Sequence, residues 1–116
     1  MGVMEITPDY KSTYQDIIIN LPIANQAKRV IIELRYLEKT DLWYVSLFDV
    51  QKTKSYLLNV PLLASTYNGV NDLWAPFKYK RVGIFACFPR TENVRTKNPS
   101  KDNLSDFIIV WSDGRA

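Results

Sequence analysis

The sequence predicts an all-β fold: a small single-domain β-sandwich or partly open barrel of about six antiparallel strands. Apolar residues alternate with a two-residue period through most of the chain, which is typical of half-buried strands. Short polar segments separate these runs, and no segment has helical spacing over the roughly ten residues that a helix needs. The chain has 116 residues, the length of one domain with one core, so residues 1–116 are expected to form a single domain.

The first part of the chain predicts an arm, a strand and a hairpin. Residues 1–15 are interpreted as an N-terminal arm, and "DIIINL" (16–21) as a strand. Apolar residues then alternate through "KRVIIELRY" (28–36) and "LWYVSLFDV" (42–50). The link "LEKTD" (37–41) is short and polar, and two alternating runs joined in this way predict a β-hairpin.

Three more strands are expected in the second half of the chain. They are "SYLLNVPLL" (55–63), "RVGIFACF" (81–88) and "DFIIVWS" (106–112). Pro61 should lie at an edge or an end of its strand, because proline cannot donate to a ladder. Residues 89–105 are rich in Pro, Asn, Ser, Thr and charge, so they are expected to form a long exposed loop.

The segment "GVNDLWAPFKY" (69–79) fits none of these patterns. Pro76 would remove a hydrogen bond from a helix and a ladder donor from a central strand. The aromatic residues Trp74 and Phe77 nevertheless favour burial. Two interpretations remain open: the segment caps the core of the domain, or it contacts a protein partner.

Positive charge is concentrated in residues 78–101. This segment contains seven basic residues and one acidic residue, Glu92, and so has a net charge of +6. The whole chain carries +3, so the remainder carries about −3. Such asymmetry indicates a contact surface for nucleic acid or for an acidic protein, or else a solvated loop.

The composition argues against most enzyme chemistry. The chain has no histidine, which removes the usual general base and most zinc sites. Cys87 stands alone, and the four glycines form no phosphate-binding pattern. The positions of the acidic residues in the sequence do not predict that two carboxylates lie close together, as they do in the active sites of glycosidases. The expectation is a non-enzyme with no catalytic residue, no cofactor and no metal.

The sequence shows no secretory signal at its N-terminus and no apolar run as long as a membrane span. It therefore predicts a protein that is made in the cytosol and does not contact a membrane.

The order of motifs resembles a known family. The hairpin "IELRY…TDLWYVSLFD" is followed by "YNGVNDLWAPF", "VGIFACF" and the closing strand "DFIIVWSD". This order is similar to that of the baseplate plug proteins of contractile-tailed phages and phage-tail-like particles, over Asp16 to Asp113. The chain departs from the family pattern at Asn71, an extra residue, at Trp74, which replaces an aliphatic residue, and in a longer loop at 89–105.

The resemblance implies a non-enzymatic structural subunit of the tail baseplate, near the hub and the start of the tail tube. Its partners would be other baseplate, hub and tail-tube proteins, in multiple copies with three-fold or six-fold symmetry. The protein would be in the virion tail baseplate or a tail-like particle, and in the host cytoplasm during assembly. The candidate contact residues are the apolar anchors Trp74, Phe77 and Tyr79 and the basic residues Lys78, Lys80, Arg81, Arg95 and Lys97.

The alternative function is that of an OB-like β-barrel that binds single-stranded nucleic acid. A basic loop and surface aromatic residues are the features of such binders. The tyrosines that could stack on bases are Tyr10, Tyr14, Tyr44, Tyr56 and Tyr79. Nucleic acid is nevertheless not the expected partner, because aromatic residues that alternate on strands commonly fill the core.

Overall fold

The computed structural model of the protein describes residues 3–23, 26–65, 70–90 and 98–112, without the side chain of Lys78. These residues form seven strands in two antiparallel sheets, which confirms the all-β prediction and adds one strand to the expected number. The strands are β1 (Val3–Ile6), β2 (Tyr14–Ile23), β3 (Gln26–Leu37), β4 (Leu42–Asp49), β5 (Ser55–Pro61), β6 (Ile84–Pro89) and β7 (Phe107–Ser112). The described residues also form two short 3₁₀ segments between strands, Ala75–Lys80 and Leu104–Asp106.

The larger sheet is a meander with the strand order β2-β3-β4-β5. It contains the predicted hairpin: β3 pairs with β4 in a continuous register from Val30 opposite Asp49 to Leu37 opposite Leu42. Pro61 is the last residue of β5, an edge strand, so its missing N–H costs the ladder nothing.

The smaller sheet has the order β1-β7-β6 and joins the two ends of the chain. Strand β1 was not predicted, since residues 1–15 were interpreted as an arm. Its four residues pair with β7, from Val3 opposite Ser112 to Ile6 opposite Ile109. A run this short has too few alternations to be recognised, and its hydrogen-bond partner lies about a hundred residues away along the chain.

One hydrophobic cluster contains the inward-facing residues of both sheets, so the fold is a sandwich rather than a closed barrel. Val30, Ile32 and Leu34 contribute from β3, and Phe85 and Trp111 contribute from the smaller sheet. The sheets are tied together after β5, where the Ser65 N–H donates to the Cys87 carbonyl of β6 at 2.7 Å.

Part of the predicted exposed loop, 89–105, is docked on the sandwich. Residues 91–97 lie outside the described residues, but Leu104 is buried in the core. The indole N–H of Trp43 donates to the Ser100 carbonyl at 2.8 Å, and the Ala64 N–H donates to Asn98 Oδ1 at 2.9 Å. Polar composition predicted solvent exposure here, whereas a few apolar and amide contacts hold residues 98–104 in place.

Candidate partner-contact surface

Asp72 holds the beginning of the Pro-containing segment against β6. Its carboxylate oxygen Oδ1 accepts hydrogen bonds from the backbone N–H groups of Trp74, at 3.0 Å, and Phe85, at 3.1 Å. The Leu73 N–H also donates to the Phe85 carbonyl, at 2.8 Å. The Asp72 side chain therefore holds the start of the Pro-containing segment, at Trp74, against the strand that follows the segment, at Phe85.

Trp74 lies in the core. Its side chain is 0% exposed, and its ring stacks on that of Phe85 with a centroid distance of 4.5 Å and an interplanar angle of 10°. The indole nitrogen has no hydrogen-bond partner among the described residues. Of the two interpretations of this segment, the geometry supports the core cap for Trp74, because a fully buried ring offers no surface to a partner.

The next residues form a 3₁₀ segment, Ala75–Lys80, with a kink at Phe77. Its first turn is closed by the Phe77 N–H, which donates to the Trp74 carbonyl at 2.9 Å. Pro76 is tolerated here because it is the second residue of the 3₁₀ segment, where a backbone nitrogen has no acceptor within the segment. Phe77 is half-buried and packs against the core cluster.

The end of this segment forms what we call the contact surface, which consists of the half-buried Phe77 and Lys80 and the exposed Tyr79 and Arg81. Tyr79 is 76% exposed, and Arg81 is also exposed. The Lys80 ammonium donates to the Tyr56 carbonyl and lies 5.7 Å from the Phe77 ring centroid and 5.8 Å from that of Tyr79. The result is an exposed tyrosine flanked by cations. Arg95 and Lys97 lie outside the described residues, as does the side chain of Lys78.

A tight turn fixes the other end of the contact surface. Arg81 has φ of 57° and Gly83 has φ of 93°, both in the left-handed region. A Cβ on Gly83 would lie 2.6 Å from the Ser112 carbonyl and from the Trp111 indole nitrogen, so only glycine fits there. The indole N–H donates to the Val82 carbonyl at 2.8 Å, which anchors the turn to β7.

Comparison with known proteins identifies the family. A family model described as cyanophage baseplate Pam3 plug gp18 matches residues 4–114, almost the whole chain. The chain belongs to this plug family. The resemblance that the motif order predicted, from Asp16 onward, is thereby confirmed and extended to β1. No curated protein matches the sequence.

Membership of the plug family indicates a phage tail baseplate as the location of the protein and other baseplate proteins as its partners. In the described part of this plug-family chain, no helix has the length and apolarity to cross a membrane. The same residues contain no group of three His, Cys, Asp or Glu side chains that could hold a metal ion.

The tyrosines proposed to stack on bases do not form one platform in this plug-family fold. Tyr56 is buried, and Tyr10 packs against the core. Tyr44 is half-buried and donates its hydroxyl to Thr40. Tyr14 and Tyr79 remain exposed, but Tyr14 lies on β2 of the larger sheet and Tyr79 lies on the 3₁₀ segment. The geometry therefore adds nothing to the nucleic-acid alternative.

A charged cluster on the outer face of the larger sheet was not predicted from sequence. The Lys52 ammonium bridges the carboxylates of Asp16, at 2.9 Å, and Glu33, at 3.2 Å. Hydrogen bonds to Asp16 and Glu33 raise the pKa of Lys52 above its ordinary value, against an opposing effect of desolvation. The Tyr14 hydroxyl also donates to Glu33 at 2.8 Å. Register explains the cluster, because Asp16 lies directly opposite Glu33 and lysine relieves their repulsion.

Proposed function

We propose that this protein is a non-enzymatic structural plug of a contractile tail baseplate, near the hub and the start of the tail tube. The family match over residues 4–114 carries the proposal. The absence of histidine and of a second cysteine from the sequence agrees with a role in assembly rather than in catalysis. The subunit is made in the host cytoplasm and enters the particle in multiple copies, with three-fold or six-fold symmetry.

The contact surface is the part of the molecule that we assign to a neighbouring baseplate protein. Interface centres are enriched in tyrosine and arginine, and Tyr79 and Arg81 are both exposed here. The contacts of Phe77 with the core and of Lys80 with the Tyr56 carbonyl hold this surface on the sandwich. Binding of a partner therefore costs little conformational entropy.

The test uses a phage or tail-like particle whose own gene for this protein is deleted and supplied in trans. We expect the double variant Tyr79→Ser with Arg81→Glu to be made and to fold. The amount of this variant in purified particles should be at least about tenfold lower than that of the wild-type protein. Quantitative immunoblotting of purified particles measures incorporation, and reconstruction of the baseplate by electron microscopy locates the subunit.

The matched control is Arg29→Glu, the same charge change at an exposed residue of β3 outside the contact surface. It should be incorporated normally. Complete, infectious particles in the absence of this protein would overturn the structural role. Normal incorporation of the double variant would overturn the assignment of the contact surface alone.

A further inference from the structure

Strand β2 forms an unusually open edge of the larger sheet. It has ten residues and pairs with β3 without a register shift, from Tyr14 opposite Arg35 to Ile23 opposite Gln26. Its other side has no strand partner among the described residues. A long, regular edge of this kind is a template for another strand.

The other three edges have more protective features than β2, which shares only an edge proline, Pro22 near its end. The pairing of β4 with β5 contains register shifts, and β5 ends at Pro61. The β6 edge is covered in part by Ala64, which bridges to Cys87. Strand β1 has only four residues. In contrast, β2 contains no lysine or arginine, and its single charged residue is Asp16.

The hydrogen bonding of the hairpin shows which groups of β2 face outward. The Tyr36 N–H donates to the Thr13 carbonyl at 2.9 Å, which makes Thr13 and Tyr36 a hydrogen-bonded pair. Such pairs alternate along an antiparallel ladder, so odd-numbered residues bond to β3 and even-numbered residues point their N–H and C=O groups away from it. The outward residues are Tyr14, Asp16, Ile18, Asn20 and Pro22. Pro22 fits this set, because it has no N–H to lose from the ladder.

We propose that this edge pairs with β2 of a second copy of the same chain, in an antiparallel two-fold arrangement centred on Ile18. Ile18 then lies opposite Ile18 of the second copy, Asp16 opposite Asn20, and Tyr14 opposite Pro22. Each outward N–H group of both strands then donates to a carbonyl of the other copy. The Tyr14 carbonyl lies opposite Pro22, which has no N–H to donate, but this carbonyl already accepts a hydrogen bond from the Ser12 hydroxyl at 2.7 Å.

The side chains of the outer face select this register. Ile18 is 51% exposed, and the two-fold axis brings two such side chains together. The Asn20 amide can donate to the Asp16 carboxylate across each half of the pair. Registers shifted by two residues would also pair the donors, but one places the Asp16 carboxylate opposite Ile18 and the other places the Asn20 amide opposite Ile18, so both lose the isoleucine pair and the pairing of Asn20 with Asp16. The two Asp16 carboxylates stay about 13 Å apart along the strands in the centred register, so they do not repel strongly.

This pairing goes beyond the baseplate function and describes the protein before assembly. A two-fold contact relates two subunits head to head, whereas the subunits around a polar tail axis all point the same way. The dimer is therefore a state of the free protein. It covers an edge that would otherwise recruit strands of other chains, and it separates when the subunit enters the baseplate.

The first experiment measures the dissociation constant of the dimer by sedimentation equilibrium of the purified full chain. We expect Ile18→Lys to raise that constant at least about tenfold, because two lysines would face each other across the axis. The matched control is Leu58→Lys on β5, which introduces the same charge. Leu58 is 52% exposed and Ile18 is 51% exposed, so the two positions are equally accessible to solvent. Leu58→Lys should leave the constant unchanged.

The second experiment tests the register by cross-linking and does not depend on the stability of a lysine variant. Ile18 and its counterpart form a hydrogen-bonded pair in this register, and such pairs have Cα atoms about 5.5 Å apart, within the range of a disulfide. Ile18→Cys should therefore form a covalent dimer under mild oxidation, whereas Asn20→Cys should not, because its own counterpart is about 13 Å away along the strand. The native Cys87 is buried and should not interfere.

A monomeric wild-type chain at millimolar concentration would overturn the proposal. Equal dissociation constants for the dimers of Ile18→Lys and Leu58→Lys would also overturn it. So would disulfide cross-linking that is faster for Asn20→Cys than for Ile18→Cys. None of these results would affect the baseplate function, which depends on incorporation into particles.

Discussion

Trp74 shows at the scale of a single residue how an apparent loop contributes to the core. Its ring is fully buried and stacked on Phe85. We expect Trp74→Ala to lower the free energy of unfolding by about 3–5 kcal/mol, since it leaves a cavity between the sheets. Urea unfolding followed by circular dichroism measures the change.

Two variants serve as controls for Trp74→Ala. Trp74→Phe should cost much less, because it keeps an aromatic ring against Phe85 and removes an indole N–H that has no partner among the described residues. Tyr79→Ala, on the same segment but 76% exposed, should change stability by less than about 0.5 kcal/mol. Equal losses for Trp74→Ala and Tyr79→Ala would contradict the core-cap assignment.

At the scale of an element, the turn between β3 and β4 has its own pH dependence. Tyr36 donates its hydroxyl to Asp41, and this hydrogen bond, with desolvation and the nearby negative charges, raises the pKa of Tyr36 to about 12. Tyrosine in the unfolded chain titrates near pH 10. The contribution of this pair to stability is therefore complete below about pH 10 and is lost as the pH rises through about 12.

Titration of tyrosinate by NMR should show this behaviour directly. Asp41→Asn should move the pKa of Tyr36 back toward 10, because it removes the negative charge, while asparagine still tolerates the φ of 54° at this position. Asp49→Asn, the same substitution at the end of β4, should leave the pKa of Tyr36 unchanged. A pKa of Tyr36 near 10 in the wild-type chain would contradict the assigned hydrogen bond.

At the scale of the whole molecule, the two sheets share one core and should unfold together. Trp43 reaches that core from the larger sheet, and Trp111 reaches it from the smaller sheet. Trp74 reaches it from the connection between them, directly before the 3₁₀ segment Ala75–Lys80. We expect the transitions in tryptophan fluorescence and in far-ultraviolet circular dichroism to coincide at every urea concentration. Separate transitions would show that one sheet persists without the other.

Local pattern was sufficient for much of the fold. It predicted six strands that overlap β2 to β7, although residues 81–83 of the predicted strand 81–88 form a turn. The polar link between Leu37 and Leu42 predicted the hairpin that β3 and β4 form. It failed at β1, which has four residues and a partner at the far end of the chain. It also failed at Leu104, one apolar residue in a polar stretch, which is buried in the core.

The candidate contact residues illustrate the same limit. The sequence indicated that Trp74, Phe77 and Tyr79 belong together, because they are close in the chain and aromatic. It did not separate them by direction, since a 3₁₀ segment with a kink has no simple periodicity. The structure buries the first, half-buries the second and exposes the third.

The sequence by itself determined the fold class and the resemblance to the plug family, because both depend on residue types and their local order. Tertiary structure decided which way Trp74 points, which strands lie at the edges of the described sheets and which backbone groups of β2 point away from β3. Those properties depend on contacts between residues far apart in the chain, such as Trp74 with Phe85 and Val3 with Ser112, which no local period encodes.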